Sequence, residues 1–249
     1  MRHIDIDMLD GYDHRLRALR DKAHRGQWRL EDGIDWSIAA KPPSLFMKHF
    51  AGRAVGALIA GENATAGACN LLIDRLPPSI ARDCLELQTA DEDRHARAYA
   101  GFLERIGLDP QPHERLSIAV DRLMNWSGPP AGLIFAVHVV LESEALVIQQ
   151  DLGGDMDCPL FSAINQRVTQ DEARHVAFGR LTARRAAAEM DDTERRRTLD
   201  EIASIWTACT KALTAHNFVL WRALSIYADR GWQQQLASME ELGLRVSQT

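Results

Sequence analysis

Cysteine is scarce in this 249-residue chain: there are four, Cys69, Cys84, Cys158 and Cys209, with no Cys-x-x-Cys pair. That argues against a disulfide framework and a zinc site, and predicts reduced thiols in a cytoplasmic protein. A basic excess is also missing. The 29 Lys+Arg and 35 Asp+Glu leave a formal net charge of −6 and a pI near 5.8, which speaks against nucleic acid as a partner. Long apolar runs are absent. The longest candidate, Ala131 to Leu141, is interrupted by His138 and falls short of the roughly 20 residues that span a bilayer, so no membrane partner is expected. The segment Met1-Arg2-His3-Ile4-Asp5-Ile6-Asp7 has no apolar stretch of the kind a signal peptide needs. Alternating Val/Ile/Thr segments between Asn-Gly or Asp-Gly turns are missing too, which leaves strands little support.

What remains is rich in Ala, Leu, Arg and Glu, the good helix formers. Breakers are sparse and well spaced: Pro42-Pro43, Pro77-Pro78, Asp109-Pro110 with Pro112, Gly128-Pro129-Pro130, and Gly153-Gly154 with Pro159. Helices are predicted over about 10–25, 44–75, 78–106, 112–126, 130–152, 159–189, 193–229 and 232–243. In the second, Val55, Leu58, Ile59, Ala66, Cys69 and Ile73 recur at three and four, with Glu62 in the middle of the stripe. The fifth is apolar nearly all round, as a central buried helix is, yet carries His138, Glu142 and Glu144. Asp191-Asp192-Thr193-Glu194 reads as a helix start, and Arg195-Arg196-Arg197 as a solvated face.

Two segments repeat at an offset of 80 residues: Thr89-Ala90-Asp91-Glu92-Asp93-Arg94-His95 and Thr169-Gln170-Asp171-Glu172-Ala173-Arg174-His175. Glu62 precedes Glu92 by thirty positions, and Glu142 precedes Glu172 by the same distance. The pattern E-x28-D-E-x-R-H therefore occurs twice; the doubled E-x29-E-x-x-H within it would arise by chance roughly once in a few thousand such chains. The midpoint of the first Glu pair falls at the Pro77-Pro78 turn and that of the second inside the Gly153–Pro159 turn. Each Glu thus lies about 22 Å from its own bend at 1.5 Å per residue. Antiparallel hairpins would bring each pair level, and Glu-x-x-His places both donors on one helix face.

Two such hairpins packed together put four Glu and two His in one layer of a four-helix core. Buried carboxylates need partners, and two divalent cations would neutralise four of them. Carboxylate-rich donors with one imidazole per metal suit iron or manganese. A Glu from each of two helices with Glu-x-x-His from the other two is the di-iron or di-manganese arrangement of ferritin-like bundles.

On these motifs, residues 45–190 resemble the ferritin-like di-iron carboxylate superfamily, with the doubled motif closest to the para-aminobenzoate N-oxygenases. The resemblance implies Glu62, Glu92, His95, Glu142, Glu172 and His175 as metal ligands, with Glu92 or Glu172 bridging. The N-oxygenases carry a third His one turn before the second motif Glu; here Val168 stands there, and His138 lies one turn before Glu142. Around Glu92–Tyr99 the chain also resembles the small subunit of class I ribonucleotide reductase, which keeps a radical tyrosine where Tyr99 stands. In both families the Asp before the motif Glu supports a metal-bound His, which pairs Asp91 with His175 and Asp171 with His95.

The sequence thus predicts an all-α, ferritin-like four-helix bundle with flanking helices. It is expected as one domain over 1–249, with a core over about 44–190 and flanking helices over about 193–243 that could serve a homodimer. The expected function is an O2-activating di-iron oxidase or oxygenase. It would use two Fe ions (Mn/Fe or Mn/Mn as alternatives), an external electron donor and a small organic substrate. A radical-generating protein dependent on Tyr99, an aldehyde-deformylating enzyme and a metal-storage bundle are the rivals. Arg94 and Arg174 are expected at the bundle periphery. The six tryptophans, Trp28, Trp36, Trp126, Trp206, Trp221 and Trp232, are expected in core or interface. The small residues Gly56, Ala57, Ala60, Gly61, Ala64, Ala66, Gly67 and Ala68 around Glu62 allow either close helix packing or a substrate cavity.

Overall fold

A computed structural model describes residues 6–41, 45–111, 114–215 and 221–245. Its helices are α1 (Ile6–Gly26), α2 (Leu30–Gly33), α3 (Leu45–Ile73), α4 (Ile80–Arg105), α5 (Glu114–Met124), α6 (Gly132–Ile134), α7 (Glu142–Asp155), α8 (Pro159–Glu189), α9 (Asp192–Ala215) and α10 (Trp221–Glu241). A π-helical segment, Phe135–Leu141, joins α6 to α7 without a break. No strand occurs among the described residues, and the expected all-α class holds.

Local chemistry sets the helix ends. The Ser79 hydroxyl accepts from the Arg82 N–H at 3.3 Å to open α4, and Pro159 occupies the first turn of α8. At α9, Asp191 and Glu194 form a reciprocal capping box with bonds of 2.8 and 3.1 Å. Gly107 (φ 69°) and Gly243 (φ 98°) end α4 and α10 in left-handed backbone. There the following N–H bonds back five residues, Leu108 to Leu103 at 2.9 Å and Leu244 to Met239 at 3.0 Å.

The bundle is two helical hairpins. One is α3 with α4; the other is the α6–π–α7 rod with α8. Helix α3 packs on α7, and α4 on α8; α1 lies against α4 and α8, while α5, α9 and α10 cover the opposite side. Two separate apolar clusters fill the interior. One gathers Leu85, Phe135, Val137 and Phe178, the other Tyr99, Phe102, Phe161 and Val168. The repeated Glu and His residues lie midway along α4 and α8, between these clusters. All four cysteines are free thiols, three of them buried. No helix among the described residues is long and apolar enough to cross a membrane.

The C-terminal helices divide differently from the expected 193–229 and 232–243. Residues 216–220 lie outside the described residues, and α10 runs straight through Gly231. A side chain at Gly231 would lie 3.1 Å from the Trp206 ring, so this glycine serves a close helix approach and not a stop. The π segment was also not anticipated. The Glu142 N–H donates to the carbonyl of Val137, five residues back. Opposite it, a Cβ on Gly179 would strike the Cβ of His138 and lie 2.9 Å from its carbonyl oxygen. The backbones of α8 and the π segment touch only because residue 179 is glycine.

Candidate metal centre

Helix α3 supplies Glu62, α4 supplies Glu92 and His95, α7 supplies Glu142 as its first residue, and α8 supplies Glu172 and His175. All six are buried, none more than 6 % exposed. Their donor atoms fall into two overlapping sets, Glu62/Glu92/His95/Glu172 and Glu92/Glu142/Glu172/His175, with the atoms of each set within 4.8 Å of one another. Glu92 and Glu172 belong to both sets. His95 Nδ1 lies 3.4 Å from Glu62, 3.5 Å from Glu92 and 3.2 Å from Glu172. His175 Nδ1 lies 3.1 Å from both Glu92 and Glu172. Glu144, the competitor of Glu142 in the sequence, joins neither set; it accepts from Gln235 Nε2 at 2.8 Å.

Both imidazoles turn their outer nitrogen to an aspartate of the other repeat. His175 Nε2 is 3.2 Å from Asp91, and His95 Nε2 is 3.1 Å from Asp171. The arginines correct an expectation. Arg94 and Arg174 are not peripheral: both are buried, 6 % exposed. Arg174 donates to Asp91 at 2.9 Å and to Asp171 at 2.6 Å, and Arg94 donates to Asp91 and lies 3.6 Å from Asp171. Two buried aspartates required two buried cations, which an i, i+3 spacing on each helix supplies.

Trp28, expected in core or interface, is buried and also joins this network. Its indole N–H donates to Asp171 at 2.7 Å, its ring stacks 6.4 Å from that of His95, and Arg94 lies over its face at 4.8 Å. It sits in the link after α1, where no periodicity marks it. Gln27 beside it donates to Asp91 at 2.9 Å.

Amides complete the layer. Gln88 Nε2 donates to Glu92 at 2.9 Å and to Glu142 at 2.6 Å, while Gln88 Oε1 faces His138 Nε2 at 3.1 Å. Gln149 Nε2 reaches Glu62 at 3.4 Å. Tyr99 is fully buried; its hydroxyl donates to Asn165 Oδ1 at 2.9 Å, and Asn165 donates to the Gln149 carbonyl at 2.7 Å. Gln88 lies one turn before Glu92, and the sequence does not mark it because Gln carries no charge or ligand signature.

The electrostatics are those of a site built for cations. Burial, reinforced by Glu172, holds the carboxyls of Glu62 and Glu142 well above the usual range. Burial works in the same direction on Glu92 and Glu172, but His175, with the His95 imidazole close by, outweighs it and holds them low. Burial alone would lower His95 and His175, yet the surrounding carboxylates lift both well above an ordinary imidazole. Glu92 Oε2 and His95 Nδ1 are buried without any hydrogen-bond partner. Four carboxylates and two inward Nδ1 atoms, two of these donors orphaned, fit a pair of divalent metal ions.

A cavity of about 310 Å³ opens beside this layer. Glu62 and Glu142 form part of its wall, with Ala57, Leu58, Ala136, Val140, Ile205 and Trp206 among its apolar residues. The small residues of α3 serve both ends foreseen for them. A Cβ on Gly56 would lie 2.6 Å from the Gln111 backbone, so it permits close packing, whereas one on Gly61 meets nothing within 4 Å and faces the cavity.

No protein-family model matches this chain, and no curated protein does. Solved structures do. A valine-to-leucine variant of an R2-like ligand-binding oxidase with an anaerobically reconstituted Mn/Fe cofactor is 19 % identical, with a TM-score of 0.65 over 96 % of this chain and 95 % of that one. A tyrosine-to-phenylalanine variant with the same preparation is 19 % identical, with a TM-score of 0.65 over 96 % and 95 %. A glycine-to-leucine variant is 18 % identical, with a TM-score of 0.65 over 100 % of this chain and 96 % of that one. Along nearly its whole length, this chain therefore shares the ferritin-like helix bundle of the R2-like ligand-binding oxidases.

Proposed function

We propose that the chain, as one domain, binds two transition-metal ions and works as an O2-dependent oxidoreductase on a small organic substrate. The observation that carries this is the position of two overlapping Glu/His donor sets in the wall of an apolar cavity. Glu62 and His95 would hold one ion, Glu142 and His175 the other, and Glu92 and Glu172 would serve both. An iron pair, or the Mn/Fe pair named for the similar structures, would supply the reduction of O2 and the oxidation of substrate when bound.

The chain's own residues prepare that chemistry. Asp91 and Asp171 accept the outer imidazole protons, which keeps both Nδ1 lone pairs aimed inward. Arg94 and Arg174 neutralise these aspartates, so the ligand layer carries no uncompensated charge. The cavity offers an apolar substrate dispersion contacts against Leu58, Val140 and Ile205 beside Glu62 and Glu142. An external electron donor belongs to this reading, and a homodimer through α9 and α10 would show as a doubled mass in solution. A redox role for Tyr99 is tested by Tyr99→Phe, which would abolish turnover if the hydroxyl takes part. An apolar wall beside the donors favours an organic substrate over iron storage.

Metal analysis after anaerobic reconstitution, followed by O2 exposure with optical spectroscopy, tests the proposal. Two ions per chain are expected, and a Glu92→Ala/Glu172→Ala double variant should lose both. Fewer than one ion per chain, or full loading of the double variant, would overturn it.

A further inference from the structure

The internal repeat makes the two halves of the centre look alike, and the residues one turn before each motif Glu break that likeness. Before Glu92 stands Gln88; before Glu172 stands Val168, which is fully buried and can donate nothing. Gln88 spends its amide on both sides. Its Nε2 donates to Glu142 at 2.6 Å and to Glu92 at 2.9 Å, and its Oε1 faces His138 Nε2 at 3.1 Å. Reversing the amide would set Oε1 against the ionised Glu92 and Nε2 against an imidazole N–H. Glu92 and His138, one on each side, therefore fix which way Gln88 points.

His138 is itself locked. It is fully buried on the π segment, edge-on to Phe178 at 5.3 Å, with its backbone pressed on Gly179. Burial, with His175 nearby, pushes its imidazole down to about 3, so the ring is neutral and carries one proton. Its Nδ1 has no partner, which leaves Nε2 as the nitrogen that bears the proton toward Gln88. The other half of the centre has no such clamp: among the described residues the one amide on Glu62 is Gln149 at 3.4 Å, beside His95 Nδ1 at 3.4 Å.

Resting on the two-metal reading above, we propose that Gln88, oriented by His138, is a positioning residue that presets Glu142 and makes the two metal sites unequal. The Glu142/His175 half is organised before any ion arrives and binds the first one more tightly. The Glu62/His95 half holds its terminal carboxylate by one longer amide contact and binds the second more weakly.

Anaerobic titration of the full-length apo-protein with Mn(II), read by calorimetry and by Mn(II) EPR, tests this without any turnover. The parent protein should bind two ions in separate steps. Gln88→Leu should weaken the tighter step about 10- to 100-fold, the range for removing a residue that orients a ligand, and leave the weaker step within about threefold. His138→Phe, which touches no ligand, should weaken the same step. His138→Gln, whose amide can still donate to Gln88, should restore it. Gln149→Leu should act on the weaker step instead. Equal steps in the parent, or His138→Phe binding both ions as the parent does, would overturn the proposal while leaving the metal centre intact. A parent protein that binds no transition metal would overturn the two-metal reading itself.

Discussion

Loading the centre should expel protons. In the apo-protein, the surroundings favour the protonated forms of Glu62, Glu142, His95 and His175 and the ionised forms of Glu92 and Glu172. The two imidazolium charges balance the two ionised glutamates, and Arg94 and Arg174 balance Asp91 and Asp171. Binding two divalent ions requires both Nδ1 atoms free and all four glutamates ionised. The ligand layer is then neutral again, with four protons exchanged for two ions: one each from Glu62, Glu142, His95 and His175. While all four groups remain protonated, the overall binding constant should rise about 10⁴-fold per pH unit, or ~5.5 kcal/mol at 1.36 kcal/mol per proton and unit. The sign follows from the raised values: binding strengthens as pH rises and levels off above them. Proton release on adding Mn(II) to apo-protein in weak buffer with an indicator dye measures the number directly. Fewer than about two protons per two bound ions near pH 6.5, or a binding constant flat in pH, would refute this exchange.

The same groups govern apo-protein stability. Raised folded values for Glu62, Glu142, His95 and His175 give stability that is complete below their unfolded values, about 4.3 for Glu and 6.5 for His. That stability is lost as pH climbs through the folded values. The melting temperature of apo-protein should therefore fall from mildly acid to alkaline pH, and the metal-loaded protein should lack this fall. Gly179→Ala should destabilise by about 1–3 kcal/mol in denaturant melts, because the new methyl meets the backbone of His138; an unchanged midpoint would contradict the tight crossing. Gly61→Phe should fill the cavity, since a Cβ at this position meets nothing within 4 Å. Metal content should stay at the parent level while the Michaelis constant for an apolar substrate rises or turnover is lost.

Much of this protein was legible in one dimension. Helix formers between sparse prolines dictate helices, and α8 begins and ends where the spacing placed it, because Pro159 and the Asp191 box leave little choice. The doubled E-x28-D-E-x-R-H brought its six donors to one level, since hairpin midpoints and the i, i+3 helix face are arithmetic on a fixed rise. Contacts between distant segments are another matter. Gly231 reads locally as a break, and only its approach to Trp206 shows that α10 continues through it. The π segment depends on Gly179, forty-one residues after His138. Trp28 and the buried arginines acquire their meaning from Asp91 and Asp171 across the bundle. The sequence by itself determined most of the helices and the chemistry of the candidate metal donors, because periodicity and spacing are local quantities. Only the tertiary structure decided the neutral charge balance, the cavity and the inequality of the two halves. Each depends on which side chains meet after burial, where an unpaired charge or amide is too costly to leave alone.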